Sequence, residues 1–396
     1  MAELITDILA SVAKHEKWRG EQCINLIPSE NVMSPQVRGL LSSELAHRYT
    51  APDRFYMGTR FIDEIERFGE EIARRLFKAD VADLRPLSGH VADWIFLANH
   101  TQRGDTLMCV SANDGGYPGL WKKGLPKYLG LELVAFPFSK EETKIKTEEA
   151  KAAIVETKPQ AIVFGASLFL FPHPVRELAE VAEEVDARVG FDGSHVMGLI
   201  AGGEFQSPLQ EGASVLLGST HKTFFGPQGG IILANKELGE ALKGKIHPAF
   251  VDNAHWNRIA ALTLALAEME QFGRAYARQV IRNAQALGRT LHDFGFPVTG
   301  SSLGYTMSHQ VLLKYGGYRQ GREVAKRLES VNLIADCGVR LGTCEMTRRG
   351  MKEAEMEQVA ELIKRIIMDG DSPEKVKGEV ERLAQEFQEV GYCFAS

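Results

Sequence analysis

The chain has 396 residues, of which 25% are charged and 44% hydrophobic, and its formal net charge is −6. This length predicts more than one domain, and the acidic balance argues against nucleic acid or an anionic membrane surface as a partner. The chain shows no signal-peptide pattern, no apolar run long enough to span a bilayer and no CxxC pair among its five cysteines, so we expect a cytoplasmic protein without disulfides or a metal site.

Helical and strand-like segments alternate through the first two thirds of the chain. Helices are predicted at residues 61–77 and 91–100 from their apolar spacing. The predicted strands that follow are Thr106–Val110, Glu132–Phe136, Ala161–Phe164, Arg188–Phe191, Ser214–Leu217 and Gly230–Ala234, with helix-like segments at Thr147–Thr157 and Val175–Val185. This alternation favours an α/β fold with a mainly parallel sheet covered on both faces, in which ligands bind at the carboxyl ends of the strands.

The last third of the chain has a different pattern. A long helix is predicted at residues 255–294, and it is followed by a strand-like segment at 310–314. Helical spacing returns at 322–329, and again at 353–368 and 373–390. This order is typical of a smaller α+β domain.

Lys222 has the most informative surroundings in the chain. It follows a predicted strand in the run Ser219-Thr220-His221-Lys222, and a glycine-rich turn comes next at residues 226–230. A lysine that is withdrawn from water in such a place is a useful nucleophile. Upstream, another predicted strand is followed by Asp192 and His195. A lysine, an aspartate and a nearby histidine are the side chains that a pyridoxal 5'-phosphate (PLP) enzyme needs.

These motifs resemble the serine hydroxymethyltransferase branch of fold-type I PLP enzymes, and the resemblance covers nearly the whole chain from about residue 25. It implies an aspartate-aminotransferase-like architecture with PLP as cofactor and a small amino acid as substrate. An N-terminal arm is expected at residues 1–45, a large PLP-binding domain at 46–285 and a small α+β domain at 286–396. The resemblance also implies a homodimer whose active sites are shared between subunits.

The resemblance implies roles for the matching residues of the cofactor site. Lys222 is the Schiff-base lysine, Asp192 pairs with the pyridinium nitrogen, and His195 lies near the phenolic oxygen of the ring. The residues implied in phosphate binding are Ser88, Gly89 and His90 at a helix start, where backbone N–H groups meet an anion, and Tyr49, which reaches the neighbouring subunit's cofactor. Further candidates beside the cofactor are Tyr117, Ser167, Ser219 and His221.

A second group of matching residues is implied in substrate binding and proton transfer. Arg340 would hold the substrate α-carboxylate through a bidentate fork. Ser29 and Glu30 would contact the substrate side chain from the partner subunit, and Tyr56 is a further substrate-binding candidate. The candidate catalytic residues are Lys222, Glu30, Asp53 and His221.

Several positions depart from the family pattern. The family's proton-handling glutamate is missing from residues 49–56, where Asp53 is the nearby carboxylate, and Tyr117 stands near the place of the histidine that stacks on PLP. Residues 248–255 lack the glycines of the family's phosphate loop. At two single positions, this chain has His90 where the family has a serine and Gln228 where the family has an arginine. The segment before Arg340, which contacts the pteridine in the family, is shortened.

These departures favour an enzyme that makes or breaks the Cα–Cβ bond of a small β-hydroxy-α-amino acid or of glycine, without ordinary folate. An aldolase or an aldehyde-exchanging transaldolase fits this prediction, and an aldehyde is then a co-substrate. One alternative is a serine hydroxymethyltransferase that uses a modified pterin. A PLP-dependent racemase or aminotransferase is a second alternative, and a catalytically silent PLP-binding paralogue is a third.

Overall fold

The structure is a computed structural model and describes residues 1–50 and 55–395. Its helices are α1 (Ala2–His15), α2 (Pro35–Leu40), α3 (Arg60–Phe77), α4 (Gly89–His100), α5 (Leu125–Leu129), α6 (Thr147–Thr157), α7 (Val175–Glu184), α8 (Met197–Ala201), α9 (Lys236–Ile246), α10 (Trp256–Asp293), α11 (Tyr318–Glu329), α12 (Cys344–Arg348), α13 (Glu353–Lys364) and α14 (Pro373–Glu386). Its strands are β1 (Ile24–Asn25), β2 (Val81–Asp83), β3 (Thr106–Cys109), β4 (Glu132–Ala135), β5 (Phe138–Ser139), β6 (Lys144–Ile145), β7 (Ala161–Phe164), β8 (Arg188–Asp192), β9 (Val215–Ser219), β10 (Gly230–Ala234), β11 (Gln310–Leu312), β12 (Leu333–Ile334) and β13 (Arg340–Gly342).

The chain forms two compact units. The larger contains residues 31–278 and the C-terminal residues from 392 onward, and the smaller contains residues 1–30 and 279–391. Helix α10 runs through the boundary at residue 278. Across the described residues, no helix has both the length and the apolar character that crossing a membrane requires.

The larger unit is built on a seven-stranded sheet in the order β2-β10-β9-β8-β7-β3-β4. Strands β4, β3, β7, β8 and β9 pair in parallel, whereas β10 is antiparallel to both of its neighbours. Every residue of β7, β9 and β10 is buried, as expected for strands that are covered on both faces. This sheet confirms the predicted α/β class.

Helix α4 packs closely on this sheet. A Cβ atom at Gly190 of β8 would lie 2.9 Å from the ring of Phe96 on α4, so the glycine allows the helix to approach the strand. The middle of α4 is almost entirely buried and mainly apolar. This packing holds the N-terminus of α4 beside the carboxyl end of β9.

The smaller unit has its own hydrophobic core. The antiparallel pair β11–β13 and the parallel pair β1–β12 contribute apolar side chains to it. Ile24 and Leu26 come from the start of the chain, and Leu341, Met356 and Val359 come from its last third. All five side chains are at most 1% exposed, and burying each of them contributes about 1.5–3 kcal/mol to folding.

Candidate active site

Asp192 ends strand β8 at the carboxyl edge of the sheet. Its side chain is buried, and Oδ1 accepts a hydrogen bond from the backbone N–H of Ser194 at 2.9 Å. In the register of β8 and β9, Asp192 is paired with Leu217. The loop that carries Lys222 leaves β9 two residues later, so the carboxylate and the lysine lie at the same edge of the sheet.

The N-terminus of helix α4 meets the end of β9. Ser88 caps the helix by accepting a hydrogen bond from the Val91 N–H at 3.1 Å. A Cβ atom at Gly89 would lie 2.7 Å from the Ser219 nitrogen and 2.8 Å from the Ser194 Oγ, so only glycine fits without displacement. The Oγ of Ser219 is buried and lacks a hydrogen-bond partner within residues 1–50 and 55–395. Such a helix start with a spare hydroxyl is suited to an anion.

The loop around Lys222 is held by hydrogen bonds from Asn31 and within the loop itself. Asn31 donates from Nδ2 to the Lys222 carbonyl at 2.7 Å and to the Tyr276 hydroxyl at 2.8 Å. The hydroxyl of Thr220 donates to the Pro227 carbonyl at 2.7 Å. These contacts fix the backbone at the lysine and close the glycine-rich turn on itself.

One cavity brings most of the predicted cofactor residues together. It is lined by His90, Asp93, Tyr117, Ala166, Ser167, Asp192, Ser194, His195 and Lys222. The sequence prediction missed two acidic or hydroxylated members, Asp93 and Ser194. Ser194 lies two residues after Asp192, and Asp93 lies one helical turn beyond the predicted phosphate-binding residues, a spacing that could have identified it.

His90 and Tyr117 form a side-chain pair in the cavity wall. The tyrosine hydroxyl lies 3.1 Å from Nδ1 of His90, and the two rings meet edge to face with centroids 5.9 Å apart. Burial lowers the pKa of His90 and raises that of Tyr117 to about 12. Both side chains are therefore neutral at pH 7. The two positions, each a departure from the family pattern, contact each other.

His221 precedes the lysine and is also neutral at pH 7. Burial, with a smaller contribution from the neighbouring Lys222, lowers the pKa of His221 to about 4. Its Nδ1 atom is buried and has no hydrogen-bond partner in the part of the chain that the structure describes. Burial therefore makes the imidazole a weaker base than a histidine in water, and its catalytic role stays a prediction.

The predicted substrate-binding residues of the smaller unit are held by polar contacts. Arg340 pairs with Asp336 through Nε at 2.9 Å and Nη2 at 2.8 Å. Glu30 accepts hydrogen bonds from Arg19 at 2.6 Å and from Asn25 at 2.9 Å. Ser29 precedes Glu30 and is half-buried. Their roles toward a substrate stay predictions.

Tyr49 and Tyr56 lie in an exposed aromatic cluster of the larger unit. Their rings meet edge to face with centroids 5.0 Å apart. The Tyr49 hydroxyl donates a hydrogen bond to Asp252, which raises the pKa of the tyrosine to about 12. Asp252 belongs to the segment that replaces the family's glycine-rich loop. Asp53 lies outside the described residues.

Comparison with known proteins gives a consistent result. The family model described as serine hydroxymethyltransferase matches residues 4–363. The chain is 43% identical to the serine hydroxymethyltransferase of Methanocaldococcus jannaschii, over 97% of this chain and 94% of that protein. It is 44% identical to that of Methanothermobacter thermautotrophicus, over 96% and 93%. The solved L-threonine transaldolase of Pseudomonas fluorescens is similar in structure, with a TM-score of 0.93, 27% identity and coverage of 99% and 94%.

Proposed function

The chain belongs to the serine hydroxymethyltransferase family, and from this premise we propose that it transfers the hydroxymethyl group of L-serine, leaving glycine. It is a PLP-dependent transferase that acts on amino acids, of the aldolase or hydroxymethyltransferase type. The observation that carries the finer proposal is the cavity whose lining includes both Lys222 and Asp192 at the carboxyl edge of the sheet. We further propose that the one-carbon acceptor is not ordinary folate, because the segment before Arg340 is shortened.

The residues of the cavity fit PLP. The N-terminus of α4 with the spare Ser219 hydroxyl would hold the phosphate, and Asp192 would hold the ring nitrogen. Lys222 would bind the cofactor covalently. When bound, PLP supplies an electron sink for the electron pair that is left when a bond at Cα breaks.

The remaining candidates would bind the substrate and handle protons. Arg340 would exchange Asp336 for the substrate α-carboxylate. Its Nε and Nη2 both contact Oδ2 of Asp336, and the same two donors can bind the two oxygens of another carboxylate as a bidentate fork. Breaking the Cα–Cβ bond requires removal of the proton from the β-hydroxyl group. Glu30, whose carboxylate is positioned by Arg19 and Asn25, is our candidate for this step, and His221 is a further candidate because it precedes Lys222 in the chain.

We propose that the enzyme acts as a homodimer. Helix α1 exposes an apolar stripe, and the side chains of Ile5, Ile8, Leu9 and Val12 are 51–65% exposed. Phe55, Met57 and Phe61 form a second exposed apolar group, 62–89% exposed. Apolar groups of this kind mark interaction surfaces, and a second copy of the chain is the partner that the family resemblance implies.

The test is release of aldehyde from L-serine and L-allo-threonine, with and without a tetrahydropterin, while the absorption of bound PLP is followed. We expect serine turnover that requires a pterin carrier and is lost in Lys222→Ala. Lys236→Ala, in the exposed first turn of α9, is the matched control and should keep full activity. Failure to turn over serine with any carrier would contradict the proposal.

The similarity to an L-threonine transaldolase supports one second candidate. In that case the acceptor of the amino-acid fragment is another aldehyde, and no pterin takes part. Adding L-threonine and an acceptor aldehyde to the assay separates the two, because a transaldolase would exchange aldehydes on L-threonine at an unchanged rate when pterin is omitted.

A further inference from the structure

Asp93 is a buried carboxyl group without a partner. It lies in helix α4 between apolar neighbours, and only 1% of the residue is exposed. Neither of its carboxylate oxygens has a hydrogen-bond partner among residues 1–50 and 55–395. A buried polar group that makes no hydrogen bond is costly, so natural proteins rarely keep one without a use.

The position of Asp93 indicates what that use is. The residue lies one helical turn after Gly89 and His90, on the face of α4 that lines the cavity with Asp192 and Lys222. Its two oxygens are therefore withdrawn from water and stand at the wall of the cavity that we assign to the cofactor. A ligand in this cavity is the available partner for them.

Burial and the neighbouring charges favour the protonated state of the Asp93 carboxyl group. Burial raises the pKa of this carboxyl group well above its usual range, the neighbouring Asp192 raises it further, and Lys222 opposes them. Titratable groups near it in the same cavity or in its electrostatic surroundings, on its own helix and on the adjoining elements, include His90, Cys109, Tyr117, Asp192, His195 and Lys222. Two carboxyl groups close together do not both ionise readily.

We propose that Asp93 contacts the bound PLP and donates a hydrogen bond to one of its oxygen atoms from a carboxylic acid group. The two carboxyl groups of the cavity then have opposite roles. Asp192 accepts a hydrogen bond from the ring nitrogen, whereas Asp93 supplies one. A carboxylic acid has a single O–H donor. An asparagine side chain has nearly the same size and provides an N–H donor in its place. The inference rests on the binding of PLP in this cavity, whatever the substrate is.

The experiment uses the full chain and PLP without any amino acid. Asp93→Asn keeps a neutral donor, and Asp93→Leu removes it at similar volume. We expect Asp93→Asn to bind PLP within about threefold of the unchanged protein, and Asp93→Leu to bind it about tenfold more weakly. Asn99→Leu, which changes a polar residue at the other end of α4, is the matched control and should leave PLP affinity unchanged.

Two further measurements test the protonation of Asp93 and the folding of its variants. The infrared spectrum of the PLP-bound protein at pH 7 should contain a carboxylic-acid carbonyl band that Asp93→Asn removes. The melting temperature of the PLP-free protein should rise in Asp93→Leu, because the variant no longer buries an unpaired acid, and this rise would show that weak PLP binding is not a folding defect. Unchanged PLP affinity in Asp93→Leu, or equal losses in both variants, would overturn the inference. Lost serine turnover with normal PLP binding would contradict only the proposed reaction.

Discussion

Tyr117 occupies the cavity wall near the place where the family has a stacking histidine. We predict that its ring packs against PLP, because any aromatic face can do so. Tyr117→Phe should then keep PLP affinity within about threefold, although it loses the hydroxyl contact with His90. Tyr117→Ala should weaken PLP binding about tenfold, which corresponds to about 1.4 kcal/mol.

The dissociation constant of PLP, measured by titration of the PLP-free protein, tests this prediction. Phe171→Leu is a suitable control, since it removes a buried aromatic ring that does not line the cavity. If Tyr117→Ala binds PLP as tightly as the unchanged protein, the ring of Tyr117 does not pack on the cofactor.

A second residue-scale prediction concerns His173. Burial lowers the pKa of His173 to about 3, whereas a histidine in the unfolded chain titrates near 6.5. Below pH 6.5 the unfolded state therefore binds a proton that the folded state excludes, and stability falls as the pH decreases. At pH 5 this histidine should reduce the free energy of unfolding by about 2 kcal/mol relative to pH 7.

Urea unfolding of the unchanged protein and of His173→Asn at pH 5 and pH 7 measures this contribution. Asparagine offers an oxygen acceptor to the Gly165 N–H, which His173 Nδ1 accepts at 3.3 Å. The variant should lose about 2 kcal/mol less between the two pH values. An equal loss in both proteins would show that His173 does not carry this pH dependence.

At the scale of elements, the approach of α4 to β9 depends on Gly89. A methyl group there would lie 2.7 Å from the Ser219 nitrogen, so Gly89→Ala must displace the helix start or the strand end. We predict a loss of about 1–3 kcal/mol in the free energy of unfolding and at least tenfold weaker PLP binding, because the proposed phosphate site lies at this junction.

Gly378→Ala is the matched control for this prediction. Gly378 lies in α14, and nothing stands within 4 Å of a Cβ atom placed there. This substitution should stabilise the protein by about 0.5–1 kcal/mol, because alanine is the better helix former, and should leave PLP binding unchanged. Equal PLP affinity in the two variants would argue against a phosphate site at Gly89.

Many elements could be predicted from local pattern. The strands Ala161–Phe164 and Gly230–Ala234 and the helix Thr147–Thr157 have the predicted bounds, since each is a short periodic or apolar run between breakers. The long helix was predicted at 255–294 and runs Trp256–Asp293. Asp192 and Lys222 could be placed at one sheet edge because both follow predicted strands.

The remaining features depend on contacts that no local pattern encodes. Strand β1 pairs with β12, so Ile24 is paired with Leu333, which lies far from it in the sequence. Strand β2 is short and lies at the sheet edge, where its pairing with β10 defines it. Asp93 belongs to no motif, so only its spacing from Gly89 and His90 points to the site, and its burial depends on how α4 packs on the sheet.

At the scale of the whole molecule, the exposed apolar groups predict that the protein forms a dimer. Phe61 at the start of α3 is 62% exposed and Leu9 on α1 is 65% exposed. If a second copy covers these groups, Leu9→Glu and Phe61→Glu should each shift the protein toward monomer in sedimentation experiments, since an interface excludes an unpaired charge. Lys14→Glu, which changes a residue of α1 that is already charged, is the control. It should leave the molecular mass of the dimer in sedimentation unchanged.

The sharing of active sites between subunits requires a separate test, because dimerisation alone does not establish it. Lys222→Ala removes the residue that we propose binds the cofactor covalently, and Tyr49→Phe removes a hydroxyl that the family resemblance assigns to the partner's phosphate site. If the two residues act in one site from different chains, a mixed dimer contains one site with both defects and one site with neither. Mixing two inactive preparations should then restore up to about one quarter of the activity of the unchanged enzyme, because half of the dimers are mixed and each has one intact site. No gain on mixing, with subunit exchange verified by mass, would mean that both residues serve a site within one chain.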